Sequence, residues 1–190
     1  MVFSQISRAT AFVVGAPQKG KRGQTFAPIN TDEKLLQLTS FSKPLLVPFE
    51  AGVYQETGQE TRINLDAVID GELLEIFDAL DASFESQMKA HNEKSTYHPM
   101  VTRSEHGNRI RMKVNTEGPR KAQLYNMKKE RLGGIRDVET AGSHVIPVVA
   151  FTKGWWMGGQ HGVTMELRHC VITEPPTADF DWPLDDENPF

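Results

Sequence analysis

Between Asp70 and Asn92 the apolar positions recur at helical spacing. Leu73, Phe77, Leu80, Phe84 and Met88 follow one another at intervals of four, three, four and four residues. That is one face of an amphipathic helix, and the stripe predicts core packing. Asp70 is placed to serve as the N-cap. Glu72, Glu75 and Asp78 occupy the first turns, where the helix dipole favours acids. Elsewhere the period is two. Arg109-Ile110-Arg111-Met112-Lys113-Val114 alternates strictly, so a strand here points Ile110, Met112 and Val114 at a core and sets Arg109, Arg111 and Lys113 in a row on the other face, roughly 6–7 Å apart. Residues 9–15 predict a first short strand, and residues 18–22 a loop. Residues 35–38 form a minor apolar patch of unassigned type. Residues 45–54 predict a strand that Pro48 and Gly52 bend or confine to an edge. Residues 144–151 read as a largely buried strand in which Pro147 implies an edge or bulge. In the last strand Val163, Met165 and Leu167 alternate with Thr164, Glu166 and Arg168, until Cys170 and Val171 break the phase. A bulge near His169 would do this.

Five to seven short strands, one good helix and many Gly and Pro breaks predict a mainly β fold. A doubly wound sheet would need several alternating helices. Composition agrees: 15 Gly, 11 Pro and a hydrophobic fraction of 38% suit one small core with real loops. The predicted organisation is one folded domain, residues 1–173, and a tail, residues 174–190. Cys170 is the sole cysteine, which excludes an internal disulfide and a cysteine-based zinc cluster. No apolar run approaches the roughly 18 residues of a membrane span. The N-terminus lacks the charged and long apolar regions of a signal peptide. These observations predict an intracellular, non-secreted protein.

Charge changes the picture once it is divided. The net charge is −4, but no Lys or Arg follows Arg168. The tail holds six acids and no base, so residues 1–173 carry 21 basic against 19 acidic groups. Proline and like charge predict an extended, solvated, disordered tail. Phe180, Trp182, Leu184 and Phe190 are costly to leave in water. An acidic string with aromatic anchors suits docking on something basic and grooved, through Asp181, Trp182, Asp185, Asp186, Glu187, Pro189 and Phe190. A frayed C-terminus is the plain reading of the same residues.

The ending Asp185-Asp186-Glu187-Asn188-Pro189-Phe190 resembles the C-terminal tip of bacterial single-stranded DNA-binding proteins, an acidic run closed by Pro-Phe; phage proteins of the same function also end in acids and a Phe. The resemblance covers about six residues. It departs at Glu187-Asn188, which leaves the partner's identity open. It implies a tail that recruits replication proteins and competes with DNA for the protein's own basic groove. A second resemblance spans about residues 70–172. The helix, the basic strand at 109–114 and the stretch Lys153-Gly154-Trp155-Trp156-Met157-Gly158-Gly159-Gln160-His161-Gly162-Val163 before a final alternating strand are similar to single-stranded DNA-binding proteins of large nucleocytoplasmic DNA viruses. That family implies an oligonucleotide-binding (OB) fold, a partly open five-stranded barrel. It also implies a place in DNA replication, recombination or repair in host cytoplasm or nucleus, with single-stranded DNA as partner and a homo-oligomer as an open option.

Binding single strands without sequence preference needs a positive groove for phosphates and aromatic faces for bases. The basic candidates are Arg109, Arg111 and Lys113, supported by Lys19, Lys21, Arg22, Arg120, Lys121, Lys128 and Lys129. The aromatic candidates are Tyr97, Tyr125, Trp155 and Trp156. Adjacent Trp residues in a strand point opposite ways, so one is expected to pack inward and the other to be free for stacking. Ordinary solvated strand faces account for the basic row equally well. No cofactor and no metal site is expected. His169 and Cys170 are neighbours in a strand and face apart, so with His161 they cannot readily share a metal. No phosphate-binding loop or zinc-protease motif occurs, and the acids at 66, 70, 78 and 81 suit a solvated helix face better than a nuclease. The competing reading is a structural or assembly β-protein whose acidic aromatic tail docks on a neighbouring subunit.

Overall fold

The computed structural model describes residues 4–5, 12–20, 24–30, 39–41, 43–53, 60–92, 94–105 and 107–174, with side chains at 4, 5, 39 and 40 excepted. In chain order the elements are β1 (Ser4–Gln5), β2 (Val13–Val14), β3 (Gln18–Lys19), β4 (Thr25–Asn30), β5 (Thr39–Ser40), β6 (Leu45–Leu46) and β7 (Arg62–Ile69), then helix α1 (Gly71–Lys89). After the helix come β8 (Thr96–His98), β9 (Val101–Ser104), β10 (Gly107–Asn115), β11 (Gln123–Asn126), β12 (Arg131–Gly133), β13 (His144–Met157) and β14 (Gln160–Glu174). The fold is mainly β with one helix. Among the described residues no helix is long and apolar enough to cross a membrane.

Two long strands, β13 and β14, form the spine. They are joined by a tight turn at Gly158 and Gly159, whose φ values of 60° and 76° are open to glycine and suit a two-residue hairpin. On one side of β14 lies β10, parallel to it, and then β7, antiparallel to β10. β11 and β8 run parallel to the two ends of β14. β13 takes β4, β5 and β6 on its free side. The sheet does not close into a continuous ladder. The chain leaving β6 reaches β7 through a single bridge, in which Gly52 and Asn64 exchange hydrogen bonds of 3.0 and 2.9 Å. Of the strand expected over residues 45–54 only Leu45–Leu46 forms, with Gly52 in this bridge beyond the break that Pro48 implies; Tyr54 lies outside the described residues.

Alternation fills the interior. Ile63, Leu65, Ala67 and Ile69 from β7 meet Ile110, Met112 and Val114 from β10, with Met165, Leu167, Cys170 and Ile172 from β14. Helix α1 adds Phe77, Leu80, Phe84 and Met88 to this core, as its stripe predicts. Phe84 packs against Phe12 and Phe151 at ring distances of 5.7 and 6.0 Å. Gln87 ties β2 to the helix: its carbonyl accepts from Val14 N at 2.9 Å and its amide donates to Phe12 O at 3.0 Å. Burial pushes the Cys170 thiol up to about 12, so it is an inert core group.

Two expectations are corrected. Gln18 and Lys19 form strand β3 against Phe26 and Thr25, not a loop. Both are exposed, so no apolar alternation marks the strand. Asp70 sits at the N-cap position with its carbonyl accepting from Leu73 and Leu74, but its side chain makes no capping bond. Gly71, with φ +49°, departs there from the geometry on which a side-chain cap depends. The register slip expected near His169 is present in β14: Val148 pairs with His169 and Val149 with Leu167, so Arg168 is the extra residue. β7 has no counterpart among the predicted strands. Residues 35–38 lie outside the described residues.

Candidate nucleic-acid interface

Side chains directly paired across strands share a face, so register fixes what lies on the side of the sheet away from the core. Near the β13–β14 turn, Gln18, Phe26, Trp155, Gly162 and His98 stand in one row across β3, β4, β13, β14 and β8. Phe26, Trp155 and His98 make this row aromatic. The His98 and Trp155 rings lie 6.2 Å apart. Gly162 makes room for the indole: a Cβ there would stand 2.8 Å from Trp155 Cζ2 and 3.0 Å from the His98 carbonyl oxygen. The next row holds Pro28, Lys153 and Thr164. Beyond it Glu166, Lys113 and Asn64 align, with Asn115 beside Arg62. At the far end Gln123 pairs with His169 and Tyr125 with Val171, and the Tyr125 and His169 rings are 6.0 Å apart.

A cleft of about 350 Å³ opens on this face, lined by Phe26, Pro28, Arg62, Arg120, Lys153 and Glu166 among others. Its cations are crowded. Burial, then Arg111 and Arg62, hold the Lys113 ammonium below the usual lysine range, with Asp66 opposing. Burial likewise depresses Arg168; Glu166 opposes that effect, while Arg120 and Arg62 add to it. Carboxylates hold the group together. Glu166 is only 4% exposed and accepts from Arg62 Nη2 at 2.9 Å, with Arg168 Nη2 at 3.1 Å from its other oxygen. Asp66 accepts two bonds of 2.8 Å from Arg111, and that hydrogen bonding is the main reason the guanidinium sits above its ordinary range. Lys113 donates to Asn64 at 2.6 Å. An arrangement of this kind presents fixed donors and apolar rings to an extended anion.

The basic row at Arg109, Arg111 and Lys113 lies on this face, but it borders the cleft without lining it. Arg109 stacks over Phe49 at 5.1 Å. Arg120 lines the cleft. Lys121 packs over Gly134, where an added Cβ would meet its side chain. Lys128 and Lys129 are exposed in the turn between β11 and β12. Lys19 pairs with Thr25, on the opposite side of the sheet from Phe26. The Trp pair divides: Trp155 joins the aromatic row, and Trp156 is buried beside His91 and His161. Tyr97 faces inward too, donating to Asp81 at 2.6 Å, so it is no platform for a base. Lys21, Arg22 and the tail positions Asp181, Trp182, Asp185, Asp186, Glu187, Pro189 and Phe190 lie outside the described residues. The cleft also brings in Phe26, Arg62 and Lys153, with Arg168 behind them on Glu166, none of which the pattern had marked for binding. Among the described residues no group of three or more His, Cys, Asp or Glu is placed to hold a metal ion.

No family model matches the sequence, and no curated protein matches it. Solved structures do. The single-stranded DNA-binding protein from bacteriophage Enc34, in complex with ssDNA, aligns over 89% of this chain and 98% of its own, at 14% identity and a TM-score of 0.50. The fold is shared with that phage protein. A second structure of the single-stranded DNA-binding protein from bacteriophage Enc34 aligns over 92% of this chain and 96% of its own, at 11% identity and a TM-score of 0.47. Gp2.5, a single-stranded DNA-binding protein encoded by bacteriophage T7, aligns over 76% of this chain and 97% of its own, at 11% identity and a TM-score of 0.49.

Proposed function

We propose that this chain binds single-stranded DNA without sequence preference, along the sheet face that carries the cleft. The observation that supports it most is the meeting, on one face, of an aromatic row (Phe26, Trp155, His98) with the cations Arg62, Arg120 and Lys153 around a single cleft. The rings suit base stacking and the cations suit phosphates, the two parts that sequence-tolerant binding needs. The fold shared with the Enc34 protein supports the same reading. In this reading residues 1–173 are the binding domain, working in DNA replication, recombination or repair inside a cell as a stoichiometric binder with no turnover. Residues 174–190 recruit replication proteins and compete with DNA for the cleft. The kinship with proteins of large nucleocytoplasmic DNA viruses belongs to this proposal and rests on the motifs at 70–172.

Titration with oligo-dT, followed by Trp fluorescence at several ionic strengths, tests it. The expected result is quenching and saturable binding. Neutralising about five phosphates gives a log–log salt slope near −3.5, at about −0.7 per contact. Absence of quenching, or affinity indifferent to salt, overturns the proposal.

A further inference from the structure

Resting on that reading, we infer that Glu166 is a built-in counter-anion of the cleft, a carboxylate that holds Arg62 and Arg168 in place of a phosphate and so limits how tightly the face binds nucleic acid. Three observations carry this. Glu166 lines the cleft yet is only 4% exposed, in the middle of a sheet face rather than at a rim. Arg62 Nη2 donates to one of its oxygens at 2.9 Å. Arg168 Nη2 stands 3.1 Å from the other without hydrogen-bond alignment, so that oxygen is buried and incompletely satisfied. Lys113 is its direct cross-strand partner on β10. Buried polar atoms normally find partners. Here Arg62 Nε, Arg168 Nε and Asn115 Nδ2 are buried without one. Donors thus outnumber acceptors around a single carboxylate.

A sheet face built only to attract polyanion would not place an acid at its centre, because the acid repels each phosphate that enters. What the acid supplies is cohesion. Like charges within a few ångströms oppose folding, and after burial, which is the larger cause, Arg62 adds to the depression of both Lys113 and Arg168. Glu166 relieves that repulsion in the empty protein. When a strand docks, its phosphates take over part of the same task, and Arg62, about a third exposed, is the side chain able to turn from the carboxylate to the ligand. Affinity is therefore set below what the cations alone would give, which keeps the protein exchangeable along a strand.

Glu166→Gln in the full chain tests this. The expected result is about tenfold tighter binding of fluorescein-labelled oligo-dT at low salt, the scale of one charge interaction near a surface. The salt slope is expected to steepen by about 0.7, one further phosphate neutralised. The unfolding midpoint without DNA is expected to fall, and oligo-dT to restore more of it than in the wild type. Should the glutamine variant not fold, Glu166→Met combined with Arg168→Met replaces the acid and one of its cations together, the kind of joint replacement that buried ion pairs often tolerate, and still frees Arg62 for the strand. A folded variant that binds with equal or lower affinity overturns the role of Glu166 alone. A wild-type protein that does not bind oligo-dT overturns the proposed function itself.

Discussion

At the scale of single residues, the two tryptophans divide labour by one step along a strand. Trp155 lies on the outer face against Gly162, and Trp156 is buried against His91 and His161. Trp155→Ala is expected to weaken oligo-dT binding by the equivalent of about 1–3 kcal/mol, with most quenching lost and the salt slope unchanged. Trp156→Ala is expected to lower stability by about 3–5 kcal/mol in denaturant unfolding. Equal effects of both on binding would count against the assignment. His161 carries a pH dependence. It is fully buried, with Nδ1 2.9 Å from Ser95 Oγ and the Tyr97 ring 5.4 Å away. Burial depresses its pKa below 6.5, with Glu85 opposing. Burial and then Arg168 depress His169 as well. A lowered folded-state value means that the unfolded chain takes up the proton first. The stability these groups contribute is thus fully present above pH 6.5 and is lost as pH falls through their folded values. Urea midpoints measured across this range are expected to fall on acidification, and His161→Gln to flatten the decline.

At the scale of elements, β10 works on both faces at once. Met112 is wholly buried, and Lys113 next to it faces the cleft side. Met112→Ala is expected to cost about 2–5 kcal/mol of stability, while the folded protein still binds DNA. Arg111→Gln is expected to lower stability by about 1–3 kcal/mol, because it strips the nearly buried Asp66 of two charge-assisted bonds, and to flatten the salt slope by about 0.7. This strand and the helix were legible from the sequence because each has a buried face opposite a charged one. β7 carries the same alternation in Arg62-Ile63-Asn64-Leu65-Asp66-Ala67-Val68-Ile69 and could have been read the same way. β4 could not: Ala27 and Ile29 face inward, but Phe26 and Pro28 face out, so no polar period shows. Phe26 was hidden for that reason. The cleft itself is set by pairing across distant strands, in particular by the parallel runs of β10 and β11 beside β14, and local pattern does not encode which strands become neighbours.

For the whole molecule, charge is divided along the chain, with an acidic excess beyond residue 173 and none before it. If the tail competes for the cleft, deleting residues 174–190 is expected to tighten oligo-dT binding severalfold at low salt. The gain should fade toward physiological salt, where screening acts within about 8 Å. Unchanged affinity at low salt would rule out self-competition. A different consequence follows from β14. It is the last strand of the described chain, and it pairs with β13, β10, β11 and β8. Every earlier strand of the sheet's middle is therefore completed only by residues 160–174. During translation, helix α1 and the β7–β10 ribbon emerge well before their shared neighbour exists. The nascent polypeptide keeps those apolar faces uncovered until residues 160–174 have emerged to pair with them.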